Sequence, residues 1–328
     1  MNILSLFDGI SVARHALHLA NIPVETYYCS EIDKNAMLIS TKNWKKNIPL
    51  GDVKTITKEK ITKPIDLLIG GSPCQDLSIA KKGRKGLEGE RSGLFWEYIR
   101  LKNELNPKWF ILENVASMPI KDKDIISEAM GCDPIMFNAS LVSAQTRKRY
   151  FWTNIKFKLP EDRGIILKDI LQADAEVDDR MVNKDKKAYT LTASYSKATN
   201  TEAQIEHNIE KKQRTMVKVG HIGNSDAQAN RVYSPEGKSV TLSANGGGLR
   251  AKTGLYKIDI TENLMTGMSI HINQNFNIRK LTPIECERLQ SLPDNYTEGI
   301  ATTNRYKVLG NAFNAEVIKH ILNSLPPP

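Results

Sequence analysis

The feature that most constrains what this chain can fold into is an alternation, across residues 1–160, of short apolar runs with stretches patterned at helical spacing. Asn2 to Phe7 reads as a buried strand followed by an Asp8-Gly9 turn. Val12, Ala16, Leu19 and Ala20 then repeat at helical spacing until Asn21 and Pro23 end the pattern. Further strands are predicted at Thr26 to Glu31, Ile65 to Ile69, Trp109 to Leu112 and Tyr150 to Asn154, and Leu94, Tyr98, Leu101 and Leu105 form an apolar stripe that stops before Pro107. Strands separated by helices pair in parallel, because the crossover carries the chain back to its starting edge. The pattern therefore predicts an α/β fold with a doubly wound, mostly parallel sheet, whose ligands lie at the carboxyl ends of the strands.

After Pro160 the texture changes. Residues 172–278 are rich in Asn, Thr, Ser, Gly and Lys, with short strand candidates only; Tyr189 to Ala193 and Val240 to Ala244 echo each other over five residues. Residues 279–328 return to helical character, with Ile318, Ile321, Leu322 and Leu325 on one face before Pro326. The expected organisation is a core over 1–160, a smaller polar insert over 161–278, and a C-terminal segment over 279–328 that completes the core.

Composition narrows the class. The 328 residues are 25% charged and no apolar run approaches the roughly 18 residues of a membrane span, which predicts no membrane partner. The N-terminus lacks the basic-then-apolar order of a secretory signal, so the reading is a cytoplasmic protein with Cys29, Cys74, Cys132 and Cys286 as free thiols. No cysteines pair at metal-binding spacing, and the lone His15/His18 pair lacks partners, so no metal site is expected. The net charge is +9, and most of the excess lies in residues 1–160, with 24 basic and 17 acidic side chains; residues 161–278 hold 16 and 15. Lys81, Lys82, Arg84, Lys85 and Arg91 form one cluster and Arg147, Lys148 and Arg149 another, which points to a polyanionic partner.

Four segments carry candidate chemistry. Gly70-Gly71-Ser72-Pro73-Cys74-Gln75-Asp76 follows the strand at 65–69, and a thiol in a polar turn near basic residues can ionise and act as a nucleophile; the alternative is a buried structural cysteine. Glu113 ends the strand at 109–112, where a carboxyl can donate or accept a proton, or simply cap a helix. Gln145-Thr146-Arg147-Lys148-Arg149 can aim guanidinium groups at a carbonyl or phosphate, or be an ordinary basic loop. The Phe7-Asp8-Gly9-Ile10 turn after the first strand, with Glu31 closing the second, suits a nucleoside with its ribose on the acid. A full G-x-G-x-x-G is missing, which disfavours a dinucleotide.

Read together and in order, these segments resemble the cytosine-5 DNA methyltransferase family over nearly the whole chain. Phe7-Asp8-Gly9 is similar to its first cofactor motif, Ser30-Glu31-Ile32-Asp33 to the second, Gly51-Asp52-Val53 to the third, Gly71-Ser72-Pro73-Cys74-Gln75 to the nucleophile motif and Glu113-Asn114-Val115 to the glutamate motif. Gln145 to Arg149 resembles the two-arginine motif, Arg279 to Gln290 the one after the target-recognition region, and Gly310-Asn311-Ala312-Phe313 the last. Ile10-Ser11 stands where family members usually carry a second glycine. The stretch Gly70 to Leu94 and the run Val142-Ser143-Ala144 look closer to the animal de novo enzymes than to most bacterial ones, in a chain otherwise of prokaryotic or phage type.

The resemblance implies transfer of a methyl group from S-adenosyl-L-methionine to carbon 5 of a flipped-out cytosine in a specific duplex DNA sequence, through a covalent adduct on Cys74, with Glu113, Arg147 and Arg149 as further catalytic residues. It implies cofactor contacts from Phe7, Asp8, Gly9, Ile10, Glu31, Ile32, Asp52, Val53, Pro73 and Asn311. DNA contacts are expected from Lys81, Lys82, Arg84, Lys85 and Arg91, and base reading from the insert. A monomer acting on double-stranded DNA, with a cognate restriction endonuclease acting separately, is the partner reading. Transfer RNA methylation and a catalytically inert DNA-binding homologue remain the alternatives.

Overall fold

The computed structural model describes residues 1–73, 92–172 and 282–326, together with short strands at 175–176, 218–221, 231–233, 255–257, 259–260 and 278–279. Cys74, Lys81, Lys82, Arg84, Lys85, Arg91 and the echo segments at 189–193 and 240–244 lie outside the described residues. The chain divides into two units, one of residues 1–138, 148–160 and 312–328 and the other of 139–147 and 161–311.

The first unit is built on a seven-stranded sheet of β1 (Asn2–Leu6), β2 (Thr26–Ser30), β3 (Ile48–Pro49), β4 (Leu67–Gly71), β5 (Trp109–Val115), β6 (Ile135–Asn138) and β7 (Lys148–Thr153), in the order β3-β2-β1-β4-β5-β7-β6. The pairs from β3 through β5 are parallel, and β7 runs antiparallel to both β5 and β6. The mostly parallel, doubly wound sheet expected from the sequence is therefore present, with an antiparallel edge.

Burial explains why the central strands read as continuous apolar runs. Leu4, Leu6, Leu68, Leu112 and Trp152 pack into one cluster with Phe95, Tyr98 and Leu101 of helix α3 (Phe95–Leu105) and Ile126 and Met130 of α4 (Ile120–Met130). Alternate residues face the other way, and Ile3, Ile69 and Ile111 are buried just as fully. Helix α1 (Val12–Leu19) packs against the C-terminal helix Ala315–Leu322, whose Ile318 and Ile321 are wholly buried. Between β2 and β3, α2 (Lys34–Asn43) starts at Asp33, whose carboxylate accepts from the Asn35 and Ala36 amides.

Strand boundaries shift in a way that matters for the site. The strand expected to stop at Leu112 continues to Val115, so Glu113 lies within β5 rather than beyond it, and the strand expected from Tyr150 begins at Lys148, which draws Arg149 into β7. Charged residues are poor strand formers by propensity, but pairing with two neighbours overrides that preference. In the order β3-β2-β1-β4-β5, the chain runs outward from β1 and then returns to β1's other side. The switch point, where such sheets open a ligand crevice, therefore falls at the carboxyl ends of β1 and β4.

In the second unit, short strands form a four-stranded and a two-stranded sheet. Helix Pro283–Leu289 begins with a reciprocal cap: Thr282 Oγ1 accepts from the Glu285 amide while Glu285 accepts from the Thr282 amide, with proline in the first turn. The wholly buried Glu287 accepts from Arg305 at 2.8 Å, from the amides of Asn295 and Thr297 at 2.7 and 2.8 Å, and from the Thr297 hydroxyl. The Leu-Thr-Pro-x-Glu-x-Glu pattern thus encodes a helix start and a buried anchor for the segment that follows.

Candidate active site

Beyond β1 the chain makes an unusual turn. Phe7 and Gly9 both have positive φ, 55° and 59°. Gly9 takes that conformation without a Cβ penalty, and a Cβ there would meet nothing within 4 Å, so its outer side is open. Its amide donates to Glu31 Oε2 at 2.8 Å, and Glu31 Oε1 accepts from the amides of Ile32 and Asp33, both at 2.8 Å. A carboxylate offers about four acceptor positions, so Glu31 retains capacity for a ligand hydroxyl. Beside it Ile32 is 70% exposed, an apolar surface with no core to cover. The Ser30 hydroxyl donates to the Gly51 carbonyl at 2.7 Å, tying the end of β2 to the loop that carries Asp52; Asp52 caps the short turn Val53–Thr55 through the Lys54 amide, and Val53 is buried.

Asp8 behaves differently from its neighbours. It is buried, and its carboxylate accepts from the hydroxyls of Ser5 and Tyr27 at 2.5 and 2.6 Å and from Ser11. Burial raises its pKa to about 6, against the lowering effect of those hydroxyls. Its side chain shapes the turn from inside. Ile10, wholly buried, belongs to the core.

The other wall is built at β4, β5 and β7. Gly71 pairs with Glu113, and Val115 with Arg149, so Glu113 and Arg149 are diagonal neighbours on one face. Arg149 Nε lies 2.7 Å from Glu113 Oε1, with side-chain exposures of 15% and 12%. Gly71 is required by close approach: a Cβ there would lie 2.8 Å from the Phe313 ring and 3.1 Å from Glu113 Oε2. One residue on, buried Ser72 receives Asn114 Nδ2 at 3.0 Å, while Asn114 Oδ1 accepts from the Val115 amide. The backbone leading through Pro73 toward position 74 is thereby held to β5.

Arg147 has a bond of its own. It belongs to the second unit, where it is buried and donates Nη2 to the Gly310 carbonyl at 3.3 Å; the adjacent Asn311 is exposed at the end of helix Thr302–Asn311. Nearby in sequence, the wholly buried Gln145 has no hydrogen-bond partner for its side-chain amide among the described residues. Ser72, Asn114 and Phe313 lie in or beside the motifs but carry no role expected from them, and Ser11 stands where the motif usually has glycine. The Ser5-x-x-Asp8-x-x-Ser11 spacing was the available signal for Ser11. The described thiols are poor nucleophile candidates: burial pushes Cys29 up to about 12 and raises Cys132, and Cys286 is wholly buried.

The fold and these residues define an α/β architecture whose switch point carries the Phe7–Gly9 turn and Glu31, with a carboxylate–guanidinium pair on β5 and β7. A family model for C-5 cytosine-specific DNA methylase matches residues 1–326, and the chain belongs to that family. It is 30% identical over 340 residues to the type II methyltransferase M.HhaI of Haemophilus parahaemolyticus, covering 98% of this chain and 93% of that protein. It is 27% identical to the orphan methyltransferase M.SPRI of Bacillus phage SPR, covering 99% and 97%. Among solved structures, the Entamoeba histolytica methyltransferase EhMeth shares the fold with a TM-score of 0.66 at 16% identity, covering 99% of this chain and 97% of that one. Among the described residues, no helix is long and apolar enough to cross a membrane.

Proposed function

We propose that the protein is an S-adenosylmethionine-dependent DNA (cytosine-5-)-methyltransferase that modifies a flipped-out cytosine within a specific duplex sequence through a covalent Cys74 adduct. The observation that carries this reading is the Glu113–Arg149 pair against Gly71, three residues before Cys74. Carbon 5 of cytosine is a weak nucleophile until a nucleophile adds to carbon 6 and pushes electron density into the ring. The Cys74 thiolate makes that bond. Glu113 hydrogen-bonds the N3 edge and Arg149 the O2 side, where negative charge develops, so both stabilise the activated ring more than the resting base. Once carbon 5 has taken the donated methyl group, loss of the carbon 5 proton and expulsion of Cys74 would restore the aromatic ring and the free thiolate. The target base must leave the stack for any of this, because neither ring face is accessible within a duplex.

The residues beyond β1 and β2 fit the methyl donor. Glu31 would hold the ribose, Phe7 and Ile32 would flank the adenine, and Asp52 would take its amino group; Gly9 leaves room for close backbone approach. Bound there, S-adenosylmethionine supplies an electrophilic methyl group on a sulfonium. The single glycine turn suits a ligand without a diphosphate. The Lys81 to Arg91 cluster supplies phosphate contacts, residues 161–278 read base edges, and the protein acts as a cytoplasmic monomer, in a restriction-modification pair or alone.

The test is transfer of labelled methyl from S-adenosylmethionine to duplex DNA and, separately, to transfer RNA, by the native chain and by Cys74→Ser. The reading requires labelling of DNA by the native chain and at least a thousandfold loss in the variant, as for removal of an essential nucleophile. Equal labelling by both proteins rejects the nucleophile, and exclusive labelling of transfer RNA rejects the substrate.

A further inference from the structure

Ser11 occupies a costly conformation. Its φ and ψ are 61° and 39°, in the left-handed region that L-residues with a Cβ avoid. It also precedes helix α1, where a serine usually takes an extended backbone and caps the first turn with its hydroxyl. Here that cap bond is absent. The hydroxyl is committed elsewhere: it donates to Asp8 Oδ2, lies 2.6 Å from Ser40 Oγ of α2, and accepts from Asn47 Nδ2 at 3.1 Å. Asn47 Nδ2 also reaches Ser40 Oγ at 3.4 Å, and the Ser11 amide donates to the Asp8 carbonyl at 3.1 Å. Ser11 and Ser40 are both buried, so these bonds are made away from competing water.

The turn held by this network is Phe7 to Ser11, the one that offers the Gly9 amide to Glu31. Backbone strain persists only where its surroundings over-determine it, and here three side chains from three segments converge on one hydroxyl. We propose that Ser11 is a positioning residue for cofactor binding: its hydroxyl, locked to Asp8, Ser40 and Asn47, holds the Phe7–Ser11 turn in the shape that receives the nucleoside. The proposal rests on the reading that this crevice binds S-adenosylmethionine.

Ser11→Ala keeps the Cβ penalty and removes what opposes it, whereas Ser11→Gly removes both. Titration calorimetry of the full chain with S-adenosylhomocysteine should show binding weakened about tenfold in the alanine variant and most of that loss recovered in the glycine variant. In steady-state transfer the KM for S-adenosylmethionine should rise in parallel while kcat at saturating cofactor changes less than about twofold. A lost packing contact alone would make glycine at least as damaging as alanine. If Ser11→Ala does not fold, Asn47→Ala removes one donor from a half-buried position and should weaken binding about threefold. Native-like affinity in Ser11→Ala, or in Asn47→Ala where Ser11→Ala does not fold, or glycine as poor as alanine, overturns the proposal while leaving the cofactor reading intact. Failure of the native chain to bind S-adenosylhomocysteine overturns both.

Discussion

Arg149 Nε lies 2.7 Å from Glu113 Oε1 across the antiparallel β5–β7 ladder, and neither side chain is more than 15% exposed. The pair sits on strands rather than loops, so its geometry is set by sheet hydrogen bonds on either side. On the proposed reading, such a pair would be in place before the substrate arrives, with no reorganisation left for the reacting step.

Removing either partner therefore has two separable effects. Glu113→Gln keeps the shape and is expected to lower kcat by about 10²–10⁴-fold, the range for a lost proton-handling group. Arg149→Ala leaves a largely buried carboxylate unpaired and should cost on the order of 3 kcal/mol of stability in addition to activity. Turnover with duplex DNA together with urea denaturation separates the two, and a fully active Glu113→Gln would remove that residue from the chemistry.

The two glycines at the end of β4 should respond differently to alanine. At Gly71 the added Cβ meets the Phe313 ring at 2.8 Å and Glu113 Oε2 at 3.1 Å, side-chain atoms that can shift. Gly71→Ala should cost about 1–3 kcal/mol and depress turnover by displacing Glu113. At Gly70 the Cβ would lie 2.8 Å from the Leu6 carbonyl oxygen, a backbone atom of the adjoining strand. Gly70→Ala is expected to lower the melting temperature further than Gly71→Ala; the reverse order in thermal melts would contradict this packing account.

Stability should carry two opposed pH dependences in the same window. Burial raises Asp8 from 3.8 to about 6, so it contributes stability present below about pH 4 and lost as pH rises through 6. Burial lowers His15 from 6.5 to about 4, with His18 adding to the shift, so it contributes stability present above about pH 6.5 and lost as pH falls through 4. His15→Gln removes the second alone. Its stability relative to the native chain should therefore fall by on the order of 2–3 kcal/mol between pH 4 and 6.5. Urea titrations of both proteins across that range test it, and parallel curves would show that His15 does not titrate abnormally.

The cationic run after Cys74 is expected to act on phosphates without regard to sequence. Changing Lys81, Lys82 and Lys85 to Gln should weaken binding to all duplexes alike and reduce the slope of log K against log salt by up to about 3. A changed target preference in competition binding would instead assign these side chains to base reading.

Residues 1–160 announced their sheet because a strand buried on both faces must be apolar throughout, and Ile3, Leu4, Leu67, Leu68 and Ile111 are. The turn residues were legible for a similar reason: Gly9 and Gly71 stand where a Cβ would need a forbidden φ or a neighbour's space. The antiparallel edge was not legible, since the strand at Ile135–Asn138 is too short to show a period and Glu113 and Arg149 break the apolar run that marks a strand. The sequence by itself determined the doubly wound order, the family motifs and the residue types of the site. Only the tertiary structure decided that Glu113 pairs with Arg149 while Arg147 bonds to Gly310, 163 residues away in the chain. It likewise decided that Asp8 turns inward to three hydroxyls. Local pattern is a property of neighbours along the chain, whereas the partner of a charged or polar side chain is chosen by which segments the folded core brings within hydrogen-bond reach.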